Sequence, residues 1–365
     1  MSATGGRWRC RSHGSTVTHM LGLVTLAAGE PMGQQVYEAE VTRRARSELG
    51  EGWIVDQIVV RTLRSPLAGT VRVPSRLMIS ASPGLRRAAG RVLYRGHDLV
   101  HRFDLRLPPA PRPEVLTIHD VVPWRFPDEG QPPSDAAVTA RRAAVVICPS
   151  QFSADEVASQ LGVAAPVAIH NGVNRAFFGT TPLTDEGLDA LGIRPPFVLH
   201  AGGCTQRKNL TGLAAAWPLV RSARPDTMLV LMGPKDERRD RLFGHLAGAK
   251  CLGRVEDAVV RGVMAAAATV VVPSVYEGFG LPALEGMAVG VPVVAAARSS
   301  LPEVCGDAAY LVEPDGPGLA EGLIAALQRG PDTSAMVERG RLRAETFTWE
   351  ASAAAHAELW RSLAR

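Results

Sequence analysis

The residues most informative about the fold of this chain are Val272-Pro-Ser-Val-Tyr-Glu-Gly-Phe-Gly-Leu-Pro-Ala-Leu-Glu285. This stretch begins at the end of an apolar run of β-forming residues, Thr269 to Val272, which predicts a buried strand. A glycine-rich turn follows, and Leu281-Pro282 then predicts a helix with proline in its first turn. A buried strand, a tight turn and a helix in this order are typical of an α/β domain with a parallel sheet.

The turn in this stretch predicts an anion site. Backbone N–H groups at the start of a helix have no partner within it, and the positive end of the helix dipole favours an anion such as a diphosphate. The N–H groups in question belong to Gly278, Phe279, Gly280 and Leu281. Glu277 would then point at the group attached to the phosphate, and Glu285 could accept two hydrogen bonds from a vicinal diol such as a ribose. The alternative is a plain strand–turn–helix unit whose glutamates only favour the helix dipole.

The block from Pro273 to Val304 resembles the signature of the retaining glycosyltransferases of the GT-B fold, family 4. It ends in Gly290-Val-Pro-Val-Val and Ser300-Leu-Pro-Glu-Val. Two glutamates with this spacing lie in the donor site of that family. The resemblance implies a nucleotide diphosphate sugar as donor, with Glu277 as a catalytic residue at the sugar and Glu285 at the ribose.

The length of the chain favours two domains, because 365 residues with 46% hydrophobic content can form two cores. Short apolar runs alternate with helical patterns, which predicts an α/β fold with parallel sheets. The resemblance implies the GT-B architecture, in which two doubly wound Rossmann-like domains face each other across a cleft. The expected parts are a disordered extension (1–15), a first, acceptor-side domain (16–180), a donor domain (181–345) and a C-terminal helix that crosses back to the first domain (346–365).

Eleven apolar runs are predicted as strands. Those of the first half are His19 to Leu26, Trp53 to Val60, Leu99 to Arg102, Val115 to Ile118, Val145 to Cys148 and Val167 to Ile169. Those of the second half are Phe197 to Ala201, Met228 to Met232, Lys250 to Leu252, Thr269 to Val272 and Val291 to Ala295. The segment from Asn174 to Pro196, which is rich in glycine and proline, lies between the two sets and predicts the domain boundary.

Five cysteines without a close pair argue against a disulfide framework or a zinc site and favour a reducing compartment. The apolar run from Thr16 to Ala28 follows three arginines and superficially imitates a signal peptide. It contains His19 and is too short to span a bilayer, so a buried first strand explains it as well. We therefore expect a cytoplasmic protein.

The charge of the chain is uneven. Residues 1–110 hold 16 arginines, no lysine and 8 acidic residues, whereas the remainder carries a net −4. A basic first domain would suit an acidic acceptor, such as a lipid diphosphate, or peripheral association with the inner, anionic face of a membrane. A solvated arginine-rich surface is the alternative. Aromatic residues that could stack on bases are few among these arginines, which argues against nucleic acid as a partner.

The loop Ala201-Gly-Gly-Cys-Thr-Gln-Arg-Lys-Asn-Leu210 follows a predicted strand and brings two cations next to a glycine turn. Lys208 would meet phosphate oxygens and neutralise the charge of a departing diphosphate. The loop also resembles the family, and this places Lys208 among the catalytic residues and Arg207 and Gly203 among the donor-binding ones. Gly203 occupies the position where many members have an arginine, for which Arg207 would substitute. A solvated basic turn is the alternative.

Two features of the first half also resemble the family. His119 follows the predicted strand in Thr117-Ile-His-Asp, and the family has a histidine here that approaches the donor sugar, so His119 is assigned to sugar positioning. Asp120 is expected to cap the following turn. Gly29-Glu-Pro-Met-Gly33 is similar to the first glycine-rich loop of the family but lacks its pair of adjacent glycines. Of this loop, the resemblance therefore assigns only Gly33 to donor binding.

The sequence contains no Asp-x-Asp motif and no cluster of histidines. We therefore expect no metal and no further cofactor, and helix N-termini with Lys208 would do the work of a divalent cation. The predicted function is transfer of a hexosyl group, with retention, from a nucleotide diphosphate sugar to a glycan, a lipid-linked acceptor or a small molecule. GDP-mannose is the favoured donor by analogy with mannosyl and rhamnosyl transferases. The alternatives are a non-catalytic relative that binds a partner and a nucleotide-sugar 2-epimerase.

Overall fold

The computed structural model describes residues 18–29, 33–111 and 113–364. The expected disordered extension, residues 1–15, lies outside this part of the chain. Two parallel sheets organise the described residues, one of seven strands and one of six. The prediction of an α/β fold with two Rossmann-like domains is confirmed.

The first sheet contains the strands of the N-terminal half in the order β3-β2-β1-β4-β5-β6-β7. Its strands are β1 (His19–Leu26), β2 (Trp53–Thr62), β3 (Val71–Val73), β4 (Leu99–Arg102), β5 (Glu114–Thr117), β6 (Val145–Cys148) and β7 (Val167–Ala168). The apolar run at His19 is therefore a strand inside the sheet, as expected. Strand β3 was not predicted, because three residues at a sheet edge give too short a pattern.

The second sheet has the order β10-β9-β8-β11-β12-β13. Its strands are β8 (Phe197–Ala201), β9 (Met228–Met232), β10 (Ala249–Gly253), β11 (Thr269–Val272), β12 (Val293–Ala296) and β13 (Tyr310–Val312). The prediction that β12 begins at Val291 is wrong. The Val291 N–H donates to Gly286 O and so completes the end of the preceding helix, and Pro292 has no N–H to give to a strand. The short edge strand β13 was not predicted.

Fifteen α-helices connect and cover the strands within the described residues. They are α1 (Gly33–Leu49), α2 (Ser75–Ile79), α3 (Pro83–Leu93), α4 (Val122–Arg125), α5 (Ala136–Arg142), α6 (Gln151–Leu161), α7 (Asp185–Ala190), α8 (Leu210–Ala223), α9 (Glu237–Phe243), α10 (Asp257–Ala266), α11 (Leu281–Val289), α12 (Leu301–Cys305), α13 (Gly316–Gln328), α14 (Pro331–Thr346) and α15 (Trp349–Leu363). Short 3-10 turns lie at Pro127–Glu129, Arg175–Phe177 and Gln206–Lys208.

Both faces of each sheet are covered. In β1, Leu21 and Leu23 belong to one apolar core, whereas Val24 belongs to another on the opposite face. In β8 of the second sheet, Val198 and Leu199 likewise belong to different cores. Because successive residues of a strand point to opposite faces, helices must pack on both sides, which makes each domain doubly wound.

The last helix returns to the first domain. Trp349, Ala357 and Trp360 of α15 are buried in the same core as Tyr37 of α1. Where the chain crosses, Thr348 pairs with Val173 of the interdomain connection. An added Cβ at Gly172 would lie 2.1 Å from the Trp349 nitrogen, so only glycine allows the two crossing segments to approach this closely.

Candidate active site

The site lies where β8 and β11, which are neighbours in the second sheet, reach their carboxyl ends. Loops at such ends are the usual ligand position in doubly wound domains. The loop after β8 carries Arg207 and Lys208, and the turn after β11 carries Glu277. The backbone joins the two loops directly, because the Val275 N–H donates to Arg207 O at 2.9 Å.

Glu277 is a buried carboxylate held by two cations. Its Oε1 lies 2.6 Å from Lys208 Nζ, and its Oε2 lies 3.1 Å from a terminal nitrogen of Arg207. Only 7% of its side chain is exposed. Burial alone would raise the pKa of Glu277, but Lys208 and Arg207 lower that pKa to about 2. Glu277 is therefore ionised at neutral pH.

The turn that carries Glu277 is fixed by four serine hydroxyls. Ser299 Oγ accepts the Glu277 N–H at 2.9 Å, and Ser300 Oγ lies 2.9 Å from Glu277 O and 2.8 Å from Phe279 O. Ser150 and Ser153, which come from the first domain, both donate to Gly278 O, at 2.6 and 2.9 Å. The carbonyl groups of the turn thus accept hydrogen bonds from serine hydroxyls.

The N–H groups of the same turn have no such partners. Within the part of the chain that the structure describes, no hydrogen bond is made by the backbone N–H of Gly278, Phe279, Gly280 or Leu281. Gly280, at the N-cap of α11, has a φ of 105°, a left-handed conformation that glycine adopts without steric cost. Consecutive free N–H groups at a helix N-terminus form an anion-binding surface.

The first domain contacts this turn through the loop after β5. An added Cβ at Gly278 would lie only 2.5 Å from His119 O, so the two loops touch backbone to backbone. Asp120 accepts the Val122 N–H at 3.1 Å, which confirms that it caps the following turn. Tyr276 packs on this side as well, between Phe126 and Phe152.

The His119 ring lies beside Tyr37 of α1, with their centroids 4.8 Å apart and the rings perpendicular. Its Nε2 is buried and has no hydrogen-bond partner among the described residues. Burial lowers the pKa of His119 to about 4, so the ring is neutral at pH 7. A neutral imidazole with a free ring nitrogen is suited to a hydrogen bond with an uncharged hydroxyl.

An acidic contact from the first domain to the loop after β8 was not predicted from the sequence. Glu129 Oε1 accepts from Arg207 Nε at 2.7 Å, and Asp128 Oδ2 accepts the Gln206 N–H at 2.7 Å. Arg207 therefore lies between Glu129 of the first domain and Glu277 of the second. Burial lowers the pKa of Arg207, but the two glutamates outweigh burial and raise it.

Glu285, on α11, lies in a different environment from Glu277. No hydrogen bond or ion pair involves its side chain within the described residues, although the side chain is largely covered. Burial, with a smaller effect of Asp257, raises the pKa of Glu285 to about 7. A covered carboxylate without donors is destabilised in its charged form, which an incoming pair of hydroxyl donors would relieve.

Gly33 and Gly203, two of the glycines predicted in the site, have different surroundings. An added Cβ at Gly33, the first residue of α1, would contact a Leu281 methyl at 3.5 Å, so Gly33 faces the start of α11 across the cleft. Gly203 has nothing within 4 Å of its Cβ position. The space next to Gly203 is therefore open to a ligand.

The described residues contain neither a candidate metal site nor a candidate membrane span. No cluster of three or more histidine, cysteine, aspartate or glutamate side chains could hold a metal ion. Among the same residues, no helix combines the length and apolar character needed to cross a membrane.

Known protein families match both halves of the chain. Residues 195–329 match the family described as Glycosyl transferases group 1, and residues 31–177 match Glycosyltransferase Family 4. The two matches lie on the second and first domains, respectively, and include every predicted site residue.

Characterised relatives resemble the chain over different lengths. The O-antigen chain mannosyltransferase B of Escherichia coli is 38% identical over 162 residues, which is 42% of each chain. The match thus spans less than half of that relative. The phosphatidyl-myo-inositol mannosyltransferase of Propionibacterium freudenreichii is 26% identical over 359 residues, covering 92% of this chain and 88% of the relative.

Solved structures share the whole architecture. Sucrose-phosphate synthase from Thermosynechococcus elongatus superposes with a TM-score of 0.72 and 22% identity, covering 94% of this chain and 99% of that one. Anabaena HepE, solved with UDP and glucose, has a TM-score of 0.71 and 18% identity over 94% of this chain and 100% of its own. With matching family sequences in both domains and this shared architecture, the chain belongs to glycosyltransferase family 4 and has the GT-B fold.

Proposed function

We propose that this protein is a retaining glycosyltransferase that moves a mannosyl group from GDP-mannose to a hydroxyl acceptor. The observation that carries the proposal is the pairing of four free backbone N–H groups, at Gly278 to Leu281, with a buried Glu277 held by Lys208. One part suits a diphosphate and the other suits a sugar that gains positive charge. Both kinds of group are needed when a glycosidic bond to a diphosphate breaks.

In the proposed reaction, the bond between the anomeric carbon and the diphosphate oxygen breaks, and its electron pair leaves with the diphosphate. The acceptor oxygen attacks the same face, and its proton passes to the departing phosphate oxygen. Lys208 and the N–H groups of the turn neutralise the diphosphate, with Arg207 beside them. No metal ion is required, because these groups already supply the positive charge.

Glu277 has a defined part in this scheme. A carboxylate whose pKa is about 2 is not a proton donor at neutral pH, which excludes a general-acid role. It would accept hydrogen bonds from sugar hydroxyls and stabilise positive charge at the anomeric carbon. When a donor binds, Lys208 and Arg207 would be shared between the carboxylate and the diphosphate.

The remaining groups would define the position of the donor. Glu285 would accept the two ribose hydroxyls, and this would favour its charged form. His119, neutral and with Nε2 free, would bond a sugar hydroxyl. Gly33 and the open place at Gly203 would let the donor approach the backbone closely.

Support for the mannosyl group and the acceptor comes from the relatives. Mannosyltransferases of an O-antigen chain and of phosphatidyl-myo-inositol are both similar to this chain. HepE was solved with UDP and glucose, which supports a nucleotide diphosphate sugar of some kind. We propose a glycan or a lipid-linked acceptor, reached at the cytoplasmic face of a membrane, with the arginine-rich first domain facing the anionic surface.

The test is an assay of purified protein with GDP-mannose or UDP-glucose and, in turn, phosphatidylinositol vesicles, a mannose oligosaccharide or water as acceptor. Products are analysed by mass spectrometry and the anomeric configuration by NMR. The proposal predicts transfer or slow hydrolysis with retained configuration that Glu277→Gln abolishes. An inverted product contradicts the retaining mechanism. Nucleotide binding without any turnover would favour the non-catalytic alternative.

A further inference from the structure

A chain of buried hydrogen bonds lies beneath His119 and connects the first domain to the C-terminal helix. The Tyr37 hydroxyl lies 2.7 Å from His356 Nε2 of α15 and 3.1 Å from Thr117 Oγ1 of β5. Thr117 Oγ1 lies 2.8 Å from His101 Nε2 of β4. Trp360, also on α15, donates from Nε1 to His101 Nδ1 at 3.2 Å. The five side chains are at most 2% exposed.

The two ends of this chain fix the direction of every bond in it. His356 Nδ1 lies 2.7 Å from Ser352 O, which can only accept, so Nδ1 carries the proton and Nε2 accepts from the Tyr37 hydroxyl. At the other end, the indole of Trp360 can only donate, so His101 Nδ1 accepts and His101 Nε2 carries the proton. His101 therefore donates to Thr117, and the Thr117 hydroxyl must donate to Tyr37.

With this direction assigned, the polar atoms of all five side chains have hydrogen-bond partners, and none of the side chains is charged. Burial lowers the pKa of both histidines, that of His356 to about 4, and raises the pKa of Tyr37. The hydroxyl of Tyr37 is central, because among the described residues it makes the side-chain hydrogen bond that joins the first domain to His356. Its removal would leave an acceptor on His356 and a donor on Thr117 without partners in a buried place.

The same tyrosine ring packs on His119. Its centroid is 4.8 Å from the His119 centroid, with an interplanar angle of 90°. Thr117, which bonds the Tyr37 hydroxyl, precedes His119 by two residues on the same strand and loop. Among the described residues His119 Nε2 has no hydrogen-bond partner, so packing against the Tyr37 ring is the contact that would orient the side chain.

We propose that Tyr37 is a positioning residue for His119, and that its ring is held in place from the C-terminal helix through His356. The C-terminal helix thereby contributes to the geometry of the cleft as well as to the stability of the first domain. The orientation of His119 does not depend on the proposed function, whereas any consequence for turnover rests on it.

The first test uses protein with 15N-labelled histidine and reads the ring signals by NMR, with signals assigned by single histidine replacements. We expect His101 to be protonated at Nε2 and His356 at Nδ1 between pH 6 and 8. We expect Tyr37→Phe to shift or broaden the His119 ring signals. Protonation of His101 at Nδ1, or unchanged His119 signals in a folded Tyr37→Phe variant, would overturn the proposal.

Two further variants keep the test decisive where Tyr37→Phe folds poorly. His356→Gln retains an acceptor for the Tyr37 hydroxyl, so the His119 signals should stay close to those of the wild type. His356→Phe removes that acceptor and should disturb them. Equal disturbance in both variants would show that the helix acts only as a packing surface and would contradict the proposal.

The second test asks whether Tyr37 acts on turnover through His119. In hydrolysis of GDP-mannose, Tyr37→Phe should lower kcat about tenfold in the wild type but leave it nearly unchanged in a His119→Ala background, because residues that act together are not additive. Tyr94→Phe is the matched control: Tyr94 is equally buried, and its hydroxyl donates to Pro108 O. Tyr94→Phe should lower the Tm and leave kcat unchanged.

Equal losses of kcat from Tyr37→Phe in both backgrounds would indicate a purely structural role for Tyr37. If the protein shows no turnover, the NMR result decides.

Discussion

Lys208 Nζ lies 2.6 Å from Glu277 Oε1, and both side chains are almost completely removed from solvent. A pair of this kind is costly to break on one side, because the remaining charge is left buried without its partner. The pair also joins two loops, those after β8 and β11, at the edge of the second sheet. The ion pair therefore links Lys208, which would contact a diphosphate, to Glu277, which would contact a sugar.

Replacing Glu277 with glutamine keeps the size of the side chain and removes its charge. We expect kcat for donor turnover to fall by at least about 100-fold, the scale of a lost preorganised electrostatic contact. The unfolding free energy should also fall by about 3 kcal/mol, because Lys208 and Arg207 lose their buried counter-charge. Turnover and chemical unfolding of the same sample check both effects. Near-normal turnover in the variant would remove Glu277 from the catalytic role.

Replacing Lys208 with methionine tests the other half of the pair. The side chain retains its length and apolar stem, so the loop should fold, but the charge that faces the diphosphate is lost. We expect kcat/KM to fall by about 100- to 1,000-fold, or about 3 to 4 kcal/mol of transition-state stabilisation. The control is Lys250→Met, outside the site on β10, which should leave kcat/KM unchanged. Similar losses in the two variants would contradict a specific role for Lys208.

The unpaired state of Glu285 predicts a dependence of stability on pH. Its pKa in the folded protein, about 7, is above the unfolded value of 4.5, so the folded state favours the protonated form. This contribution to stability is complete below pH 4.5 and is lost as the pH rises to about 7. Glu285→Gln removes the loss, so at pH 8 it should be more stable than the wild type by at most about 3 kcal/mol, with little difference at pH 4.5. Thermal unfolding at both pH values measures this, and a difference that does not change with pH would contradict it.

The same carboxylate predicts how donor affinity changes with pH. Hydroxyl donors from a ribose favour the charged form of Glu285, so GDP-mannose should bind more tightly at pH 8 than at pH 5.5. Binding at pH 6 to 7 should release a proton, which calorimetry in two buffers of different ionisation enthalpy detects. In Glu285→Gln the pH dependence should disappear. A pH dependence that survives in that variant would point to another group.

Gly278 predicts a steric test of the contact between the domains. A Cβ at this position would lie 2.5 Å from His119 O, a backbone atom, so alanine must push the two loops apart. We expect Gly278→Ala to weaken donor binding at least tenfold and to cost about 1 to 3 kcal/mol of stability. Gly84→Ala is the control, because Gly84 lies in α3 with nothing within 4 Å of its Cβ position. Its stability and affinity should be unchanged or slightly higher, and a wild-type affinity in Gly278→Ala would contradict the contact.

The acidic residues Asp128 and Glu129 of the first domain are expected to help hold the two domains together across the cleft. Asp128 and Glu129 bind Gln206 and Arg207 of the second domain, so Asp128→Asn combined with Glu129→Gln should weaken that contact by about 1 kcal/mol, the scale of partly exposed pairs. Small-angle scattering of the ligand-free protein should then show a larger radius of gyration. Glu313→Gln, which breaks the exposed pair with Arg298 inside the second domain, is the control. Identical scattering from the double variant and the control would exclude a role in closure.

Local pattern accounts for most of what the sequence predicts correctly. The runs at Met228–Met232 and Val145–Cys148 are strands with the predicted bounds, because each is a continuous apolar run followed by a turn-forming pair, Gly-Pro or Pro-Ser. Strands Val71–Val73 and Tyr310–Val312 escaped prediction, since three residues at an edge depend on their neighbours for pairing rather than on a pattern of their own.

Contacts between the two domains were not predictable in the same way. The order of residues shows Ser150 before a helix, but not that its hydroxyl donates to Gly278 O 128 positions away. Glu129 lies in a segment without any motif, and its bond to Arg207 exists only because the domains dock. Motifs therefore indicate which residues belong to the site, whereas tertiary packing determines which of them are already paired.

A thermal-shift panel of GDP, UDP, dTDP and ADP with their common sugars, measured on the wild type and on Glu285→Ala, shows whether the cleft binds a nucleotide sugar through Glu285. Ligand at 100 times its Kd stabilises the folded state by about 2.7 kcal/mol, which is a shift of several degrees. We expect a shift for one nucleotide and its sugar, GDP and GDP-mannose, that disappears in Glu285→Ala. No shift with any nucleotide in the folded protein, or an equal shift in the variant, would contradict a donor site built on Glu277, Lys208 and Glu285.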